Sequence, residues 1–318
     1  MEAKYQPENK DINRTEEPTV KNNGRRSSMK DPFSLLLSNM SDSELNETFC
    51  PICNEKKRRL LFREREFPVW KCRLCGHMYI SPRPSEKVVA GFYETDYMAQ
   101  ADENIEERIR TSPYNAVACA IAKYMPNRGD LLDVGTGLGG FLNCAKEDGW
   151  RISGIELSNS AFAVCQKRFG SIASLQQTSF ERNNFPPASF DCIVMLNVIE
   201  HVYDPLETCK RAFELLRPGG CLALRWPQFV LMREMDAPSH LHGFTRRSME
   251  ILLRSCGFGE IKEFWAGISN YRKDRLSWFL LSVVLWVVSR MFFALTFGKR
   301  QVPIVARLTL ARKPSRAF

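Results

Sequence analysis

The 318-residue chain is 44% hydrophobic and 25% charged, ordinary for a globular protein, and its length allows one full α/β domain plus a smaller module. Residues 1–20 are too polar to open a secretory route, so the cytosolic side is the expected compartment; its reducing environment turns the eleven cysteines away from disulfides, towards metal ligation or buried thiols. The net charge of +9 is uneven: Arg272–Phe318 holds ten Lys/Arg against Asp274 alone, and Cys50–Cys75 holds eight against Glu55, Glu64 and Glu66. Basic segments of this kind meet nucleic acid or an anionic lipid surface, and the residues beside them must decide which.

Residues 1–48, rich in Asn, Glu, Lys and Ser, have little to bury and read as a disordered tail, with the short apolar cluster Phe33–Leu37 as linker, the alternatives being a transient helix or a docking motif. Residues 49–82 form a compact cysteine module. Cys50-Pro-Ile-Cys53 and Cys72-Arg-Leu-Cys75 are two C-x2-C knuckles separated by 18 residues. Each knuckle brings two thiolates to one ion, and four thiolates complete a tetrahedral Zn²⁺ shell with no position left for water, the pattern of a structural zinc ribbon. His77, just past the second knuckle, is expected at the surface or behind the ligands rather than on the ion. Lys56–Arg59 leaves nucleic-acid binding open as a second use of the module.

Residues 84–127 read as helical, closed by the turn Pro126-Asn127-Arg128-Gly129. Strands are then expected at Leu131–Val134, Arg151–Ile155, Phe190–Met195 and Cys221–Arg225, with helical stretches between them. That alternation predicts an α/β, Rossmann-like domain whose parallel sheet is covered on both faces. The first strand runs into Gly135, Gly137 and Gly139, a loop whose backbone passes close to a ligand where a Cβ would collide. Glu156 ends the second strand, 21 residues after Gly135, where a ribose-binding carboxylate belongs in a dinucleotide-type βαβ unit.

In chain order, DVGTGLGGF, ISGIELS, FDCIVMLNVIEHVYDP and LLRPGGCLAL resemble the successive motifs of class I S-adenosylmethionine-dependent methyltransferases. Asp-x-Gly-x-Gly-x-Gly stands where NAD enzymes usually carry G-x-G-x-x-G. The resemblance implies a methyltransferase domain at residues 83–271, built on a Rossmann-like seven-stranded sheet, with S-adenosyl-L-methionine as cofactor. On that implication Asp133, Gly135, Gly137 and Gly139 line the methionine end, Glu156 holds the ribose, Leu157 and the Ser179–Glu181 stretch around Phe180 flank the adenine, and Asn197 touches the cofactor. Methyl transfer needs an oriented acceptor and often removal of its proton, and histidine titrates near neutrality. His201, beside Glu200, is therefore the candidate general base, the alternative being a structural or cofactor-contact role for this Glu-His pair. His240 is a second cleft candidate, ahead of His242, with a structural role open for both, and Thr245 is placed to cap the following helix.

The stretch FPVWKCRLCGHMYISPRPSEKVVAGFYETDY resembles the opening of a group of small-molecule methyltransferases in which a zinc ribbon directly precedes the catalytic domain, and some of which C-methylate nucleotide-linked sugars. This implies a ribbon that helps to wall the substrate cleft, with Tyr93 or Tyr97 reaching towards cofactor or substrate, or else packing the helix on the domain. The Asp/Asn-Pro-Pro-Tyr/Phe motif of base N-methyltransferases and the Pro-Cys nucleophile of the cytosine type are absent from the sequence, which disfavours nucleic acid as acceptor without excluding it.

Residues 272–300 are an apolar, membrane-associated helical segment: LSWFLLSVVLWVVSRMFFALTFG, at 276–298, has 14 residues before Arg290 and basic residues on both flanks. A helix of that length spans roughly a bilayer core of about 30 Å. However, Arg275, Ser282, Ser289 and Thr296 recur every seven residues as a polar stripe, and Val302–Ala311 reads as the last strand of the sheet, within a final segment 301–318 that ends in a basic tail. A single crossing would strand that segment, so a monotopic or re-entrant helix, or a bent helical pair, at the cytoplasmic face is expected, the alternative being a buried core or dimer helix. The resulting expectation is methylation of O or C on a small, sugar-like or lipid-linked acceptor at the membrane surface. The alternatives are RNA methylation, with the ribbon as anchor, and a catalytically silent membrane scaffold.

Overall fold

The computed structural model describes residues 41–94, 114–228, 235, 237–265 and 305–315. It begins with β1 (Leu45–Asn46), then β2 (Arg58–Glu64), β3 (Phe67–Cys72), β4 (Met78–Ile80) and β5 (Arg83–Pro84). Two helices follow, α1 (Glu86–Glu94) and α2 (Tyr114–Tyr124), and then the alternating part: β6 (Asp130–Val134), α3 (Gly140–Glu147), β7 (Arg151–Glu156), α4 (Asn159–Phe169), β8 (Ser174–Gln177), β9 (Phe190–Leu196), α5 (Pro205–Leu215) and β10 (Leu216–Gln228). β11 (His242–Gly243), α6 (Arg246–Ser255), β12 (Ile261–Trp265) and β13 (Val305–Arg312) complete it.

The large sheet has seven strands in the order β12-β13-β10-β9-β6-β7-β8. Strands β8, β7, β6, β9 and β10 are parallel, while β13 lies antiparallel between β10 and β12. The expected last strand is thus present, at Val305–Arg312, and β10 runs through an irregularity at 217–220 well beyond the expected Cys221–Arg225. From β6 the chain fills the sheet outward through β7 and β8, then returns to the other side of β6 with β9. The strand order therefore reverses between β6 and β9, and the crevice above their carboxyl ends is where a ligand is received in such a sheet.

The central strands are apolar on both sides because both sides are covered. On one face Leu131, Cys192, Val194, Cys221 and Ala223 pack with Val117 and Ile121 of α2, Phe141 and Leu142 of α3, and Cys165 and Phe169 of α4. On the other Leu132, Ile193, Met195, Leu222, Leu224 and Trp226 pack with α5 and α6. Local chemistry starts the helices: Asp204 Oδ1 accepts from the Leu206 and Glu207 amides at 2.9 and 3.1 Å with Pro205 behind it, and Thr245 forms the expected cap as a capping box with Ser248.

The cysteine module is built into the domain. Its sheet, ordered β11-β4-β3-β2, takes β11 from the segment between β10 and α6. Leu45–Asn46, read from sequence as tail, pairs with Arg83–Pro84. Cys50, Cys72, Cys75 and Tyr79 share the core cluster of the α5–α6 face. The sequence expectations for Phe33–Leu37, Tyr97 and the apolar stretch 276–298 fall outside the described residues. Among the described residues no helix is long and apolar enough to cross a membrane.

Candidate active site

The glycine loop leaves β6 with Gly135 at φ +70°, Gly137 at +52° and Gly139 at +78°, a region that side chains with a Cβ rarely enter. Space is short as well: a Cβ on Gly135 would come within 2.8 Å of Val198 Cγ2, so the loop lies directly against the turn that follows β9. Gly139 caps α3 without any side-chain hydrogen bond, which leaves the amino end of that helix bare at the loop. Across the loop, Glu156 Oε2 accepts from the Gly137 amide at 2.7 Å and Oε1 from the Ser158 amide at 2.9 Å. Burial pushes the Glu156 carboxyl up, and the amides of Ser158, Gly137 and Leu157 pull it back. Asp133, at 2% exposure, is pushed well above the usual carboxylate range by burial and by the nearby Glu156. Leu157 is half-buried beside Glu156, and Phe180 is buried at the start of the short 3-10 turn after β8.

The turn after β9 carries the second half of the site. Asn197 holds φ +58° there, a left-handed conformation that asparagine tolerates better than most residues. Its Nδ2 donates to Glu200 Oε1 at 3.0 Å, and its Oδ1 accepts from Arg225 Nη1. Glu200 is fully buried, and burial raises its carboxyl against the opposing pull of His240 and Asn197. His201 Nδ1 lies 2.8 Å from both the Ser239 carbonyl and the Tyr93 hydroxyl. The carbonyl only accepts, so Nδ1 carries the proton and the basic lone pair is on Nε2, 3.9 Å from Glu200 Oε1. The Met235 carbonyl, 2.8 Å from His240 Nδ1, fixes the same tautomer there, and the rings of His201 and His240 stand 4.6 Å apart. The three proposed catalytic residues, Glu200, His201 and His240, are thus brought together, with ligand atoms within 4.8 Å of one another. Such an arrangement can take a proton from an acceptor at His201 Nε2 and balance the resulting charge with Glu200.

The ribbon supports this turn from behind. The Glu200 carbonyl accepts from the Leu241 and His242 amides at 2.9 and 3.2 Å, and β11 then pairs with β4. His242 Nε2 donates to the Val202 carbonyl at 3.0 Å, so its Nδ1 accepts from His77 Nε2 at 3.2 Å. His77, expected at the surface or behind the ligands, is fully buried; the second placement holds, because it links the knuckle of Cys72 and Cys75 to the active-site turn. Burial keeps both imidazoles neutral, holding His242 near 3 and His77 well below the usual histidine value.

Cys50, Cys53, Cys72 and Cys75 converge, with their sulfurs all within 4.8 Å. Cys50 Sγ is 3.5 Å from Cys75 Sγ and Cys53 Sγ 3.6 Å from Cys72 Sγ, too far for disulfides. A tetrahedral thiolate shell with metal–sulfur distances near 2.3 Å has edges of about 3.8 Å, which these spacings nearly match. Amides of Leu74 and Cys75 point at Cys72 Sγ from 3.4 and 3.5 Å, and the hydrogen bond from Cys50 pulls the Cys75 thiol down to about 5. The four side chains fit a metal ion.

Sequence reasoning missed three participants: Ser239 as the tautomer-fixing carbonyl, the His77–His242 link, and Arg225. Only Arg225 left a signal, a lone charge at the carboxyl end of an inner apolar strand.

Residues 105–262 match a family model described as a methyltransferase domain. The putative methyltransferase YqeM of Bacillus subtilis is 31% identical over 124 residues, 37% of this chain and 50% of that protein. A probable S-adenosylmethionine-dependent methyltransferase of Mycolicibacterium smegmatis is 24% identical over 56% of this chain and 65% of its own length. A ubiquinone biosynthesis O-methyltransferase of Nitrosospira multiformis is 32% identical over 29% and 40%. The chain thus spans about half the length of the curated relatives it matches. In fold it is similar to Haemonchus contortus phosphoethanolamine N-methyltransferase 2, solved in complex with S-adenosyl-L-methionine (TM-score 0.54, 18% identity, 74% of this chain and 63% of that one). It is likewise similar to Burkholderia thailandensis 1,6-didemethyltoxoflavin-N1-methyltransferase (TM-score 0.53, 14% identity, 80% and 99%). The family match over residues 105–262, the ordered motifs within it and the seven-stranded sheet that Val305–Arg312 completes from beyond it identify a class I S-adenosylmethionine-dependent methyltransferase domain.

Proposed function

We propose that this chain transfers a methyl group from S-adenosylmethionine to an oxygen or carbon of a small, sugar-like or lipid-linked acceptor, and that its four clustered cysteines hold a structural Zn²⁺. One observation carries the reading: the glycine loop, already holding Glu156 through Gly137, abuts at Val198 the turn that presents His201. Glu156 would take the ribose hydroxyls, the loop and the bare end of α3 would receive the methionine end, and Asn197 would border it. The bound cofactor supplies an electrophilic methyl group. His201 Nε2 removes the acceptor proton as the new bond forms, while Ser239 and Tyr93 hold the ring. The apolar, base-flanked stretch 276–298 supports an acceptor presented at a membrane surface.

The test is to incubate the protein with methyl-labelled cofactor and separate lipid, sugar-nucleotide and RNA fractions. Label in the lipid or sugar fraction, lost in His201→Ala, is the expected result. Label in RNA alone would replace the acceptor class, and cofactor binding without label anywhere would favour a silent scaffold.

A further inference from the structure

Arg225 lies near the carboxyl end of β10, opposite Leu196 of β9, and is only 4% exposed. One nitrogen is anchored, since Nη1 donates to Asn197 Oδ1. The other two, Nε and Nη2, are buried and have no hydrogen-bond partner among the described residues. These are not scattered donors: Nε–H and Nη2–H form one edge of the planar guanidinium, the fork that meets both oxygens of a carboxylate or phosphate at once. Leaving a charged edge buried and unpaired is unfavourable, which is why buried arginines are normally met side-on by an acid. The acid whose charge bears on Arg225 is Glu200, yet its Oε1 is taken by Asn197 Nδ2 at 3.0 Å, and among the described residues its buried Oε2 makes no hydrogen bond to Arg225. Asn197 thus separates the pair, holding the arginine by one amide atom and the glutamate by the other. Tyr114 is the other polar group that bears electrostatically on Arg225.

The position of the fork in the sheet says which ligand it faces. β10 is two strands from β6, on the side of β9 away from β7. With strands about 4.8 Å apart, the fork is offset by roughly 10 Å from the strand that leads into the glycine loop, away from Glu156. We propose that Arg225 is the receiver for an acidic group, carboxylate or phosphate, on the methyl acceptor, with Asn197 holding the guanidinium plane and keeping Glu200 from closing it. This deepens the methyltransferase reading and rests on it.

Calorimetry tests the proposal with the full-length chain saturated with S-adenosylhomocysteine, titrated with inorganic phosphate and with benzoate at constant ionic strength. Saturable binding of one of these probes is expected, weakened at least tenfold in both Arg225→Met and Arg225→Lys, with S-adenosylhomocysteine affinity within twofold of the parent. The lysine variant keeps the charge and fills the space, so it still reads the fork should the methionine variant misfold. Absence of saturable binding of either probe, or equal binding by Arg225→Lys, overturns the proposal. So does a tenfold loss of S-adenosylhomocysteine with methylthioadenosine unaffected, because the fork would then grip the cofactor's own carboxylate. If S-adenosylhomocysteine fails to bind at all, the methyltransferase reading fails separately, and the phosphate and benzoate titrations of the unliganded chain still judge the fork.

Discussion

Gly139→Ala isolates what the bare-backbone loop requires. The residue sits at φ +78°, and an added Cβ would strike Phe169 Cε2 while coming within 3.0 Å of Cδ2 and 3.4 Å of Cys165 Sγ. The left-handed backbone costs about 1–2 kcal/mol. Phe169 is 3% exposed and packed in the core with Cys165, so its ring has little room to move, and overpacking of this kind costs about 1–3 kcal/mol more. Together these give roughly 2–5 kcal/mol, which for a domain of this size lowers the melting midpoint on the order of 5–15 °C. The same distortion moves the bare end of α3, so S-adenosylhomocysteine affinity should fall as well. Gly91→Ala is the control: it lies inside α1 with nothing among the described residues within 4 Å of the new Cβ, and should stabilise by about 0.5–1 kcal/mol. Thermal melts with and without ligand make the comparison. A Gly139→Ala protein within a degree of the parent, with undiminished ligand shift, would refute the reasoning.

Other expectations follow from the same geometry. His201→Ala should lower turnover by roughly 10²–10⁴-fold while leaving cofactor affinity within a few-fold, read by labelled-methyl assay and calorimetry; full turnover would end its role as base. Burial raises the Glu156 carboxyl in the free protein, and on the proposed reading the ribose hydroxyls would donate to its ionised form. Cofactor affinity should therefore weaken as pH falls from neutrality towards the glutamate range, with protons released on binding, and Glu156→Gln should flatten that dependence. Metal analysis should find about one Zn²⁺ per chain, lost in Cys50→Ser or Cys75→Ser along with thermal stability. Because β4 and β11 connect that cluster to Glu200, turnover should fall with the metal. Asp130 is held below its usual range first by Arg151 and then by Arg217. Its contribution is present above the unfolded value of about 3.9 and is lost as pH falls through the lower folded value, so the stability gap between parent and Asp130→Asn should shrink between pH 6 and pH 3. The pair is largely exposed on the arginine side, so that gap should stay below about 1 kcal/mol.

The parts of the site that sequence revealed are those encoded locally. Gly135, Gly137 and Gly139 sit on consecutive alternate positions after an apolar strand, and each knuckle pairs cysteines three residues apart, so spacing alone states the geometry. Parallel strands buried on both faces likewise announce themselves as short apolar runs. The remainder depends on contacts distant in sequence. His77 meets His242 across 165 positions, β4 recruits the two-residue β11, and Arg225 reaches Asn197 across 28. No periodicity marks such pairs, because each is a polar contact formed only once the sheet has placed both ends. The tautomer of His201 was equally hidden, since it is set by a backbone carbonyl, that of Ser239, rather than by a side chain.

The most direct measurement of the central claim is isothermal titration of S-adenosylhomocysteine into the purified chain, beside Glu156→Ala. One-site binding to the parent, weakened at least tenfold in the variant, is the predicted result, because the variant loses the carboxylate proposed to take the ribose hydroxyls. No heat of binding to a folded parent, or equal affinity in the two proteins, would contradict it.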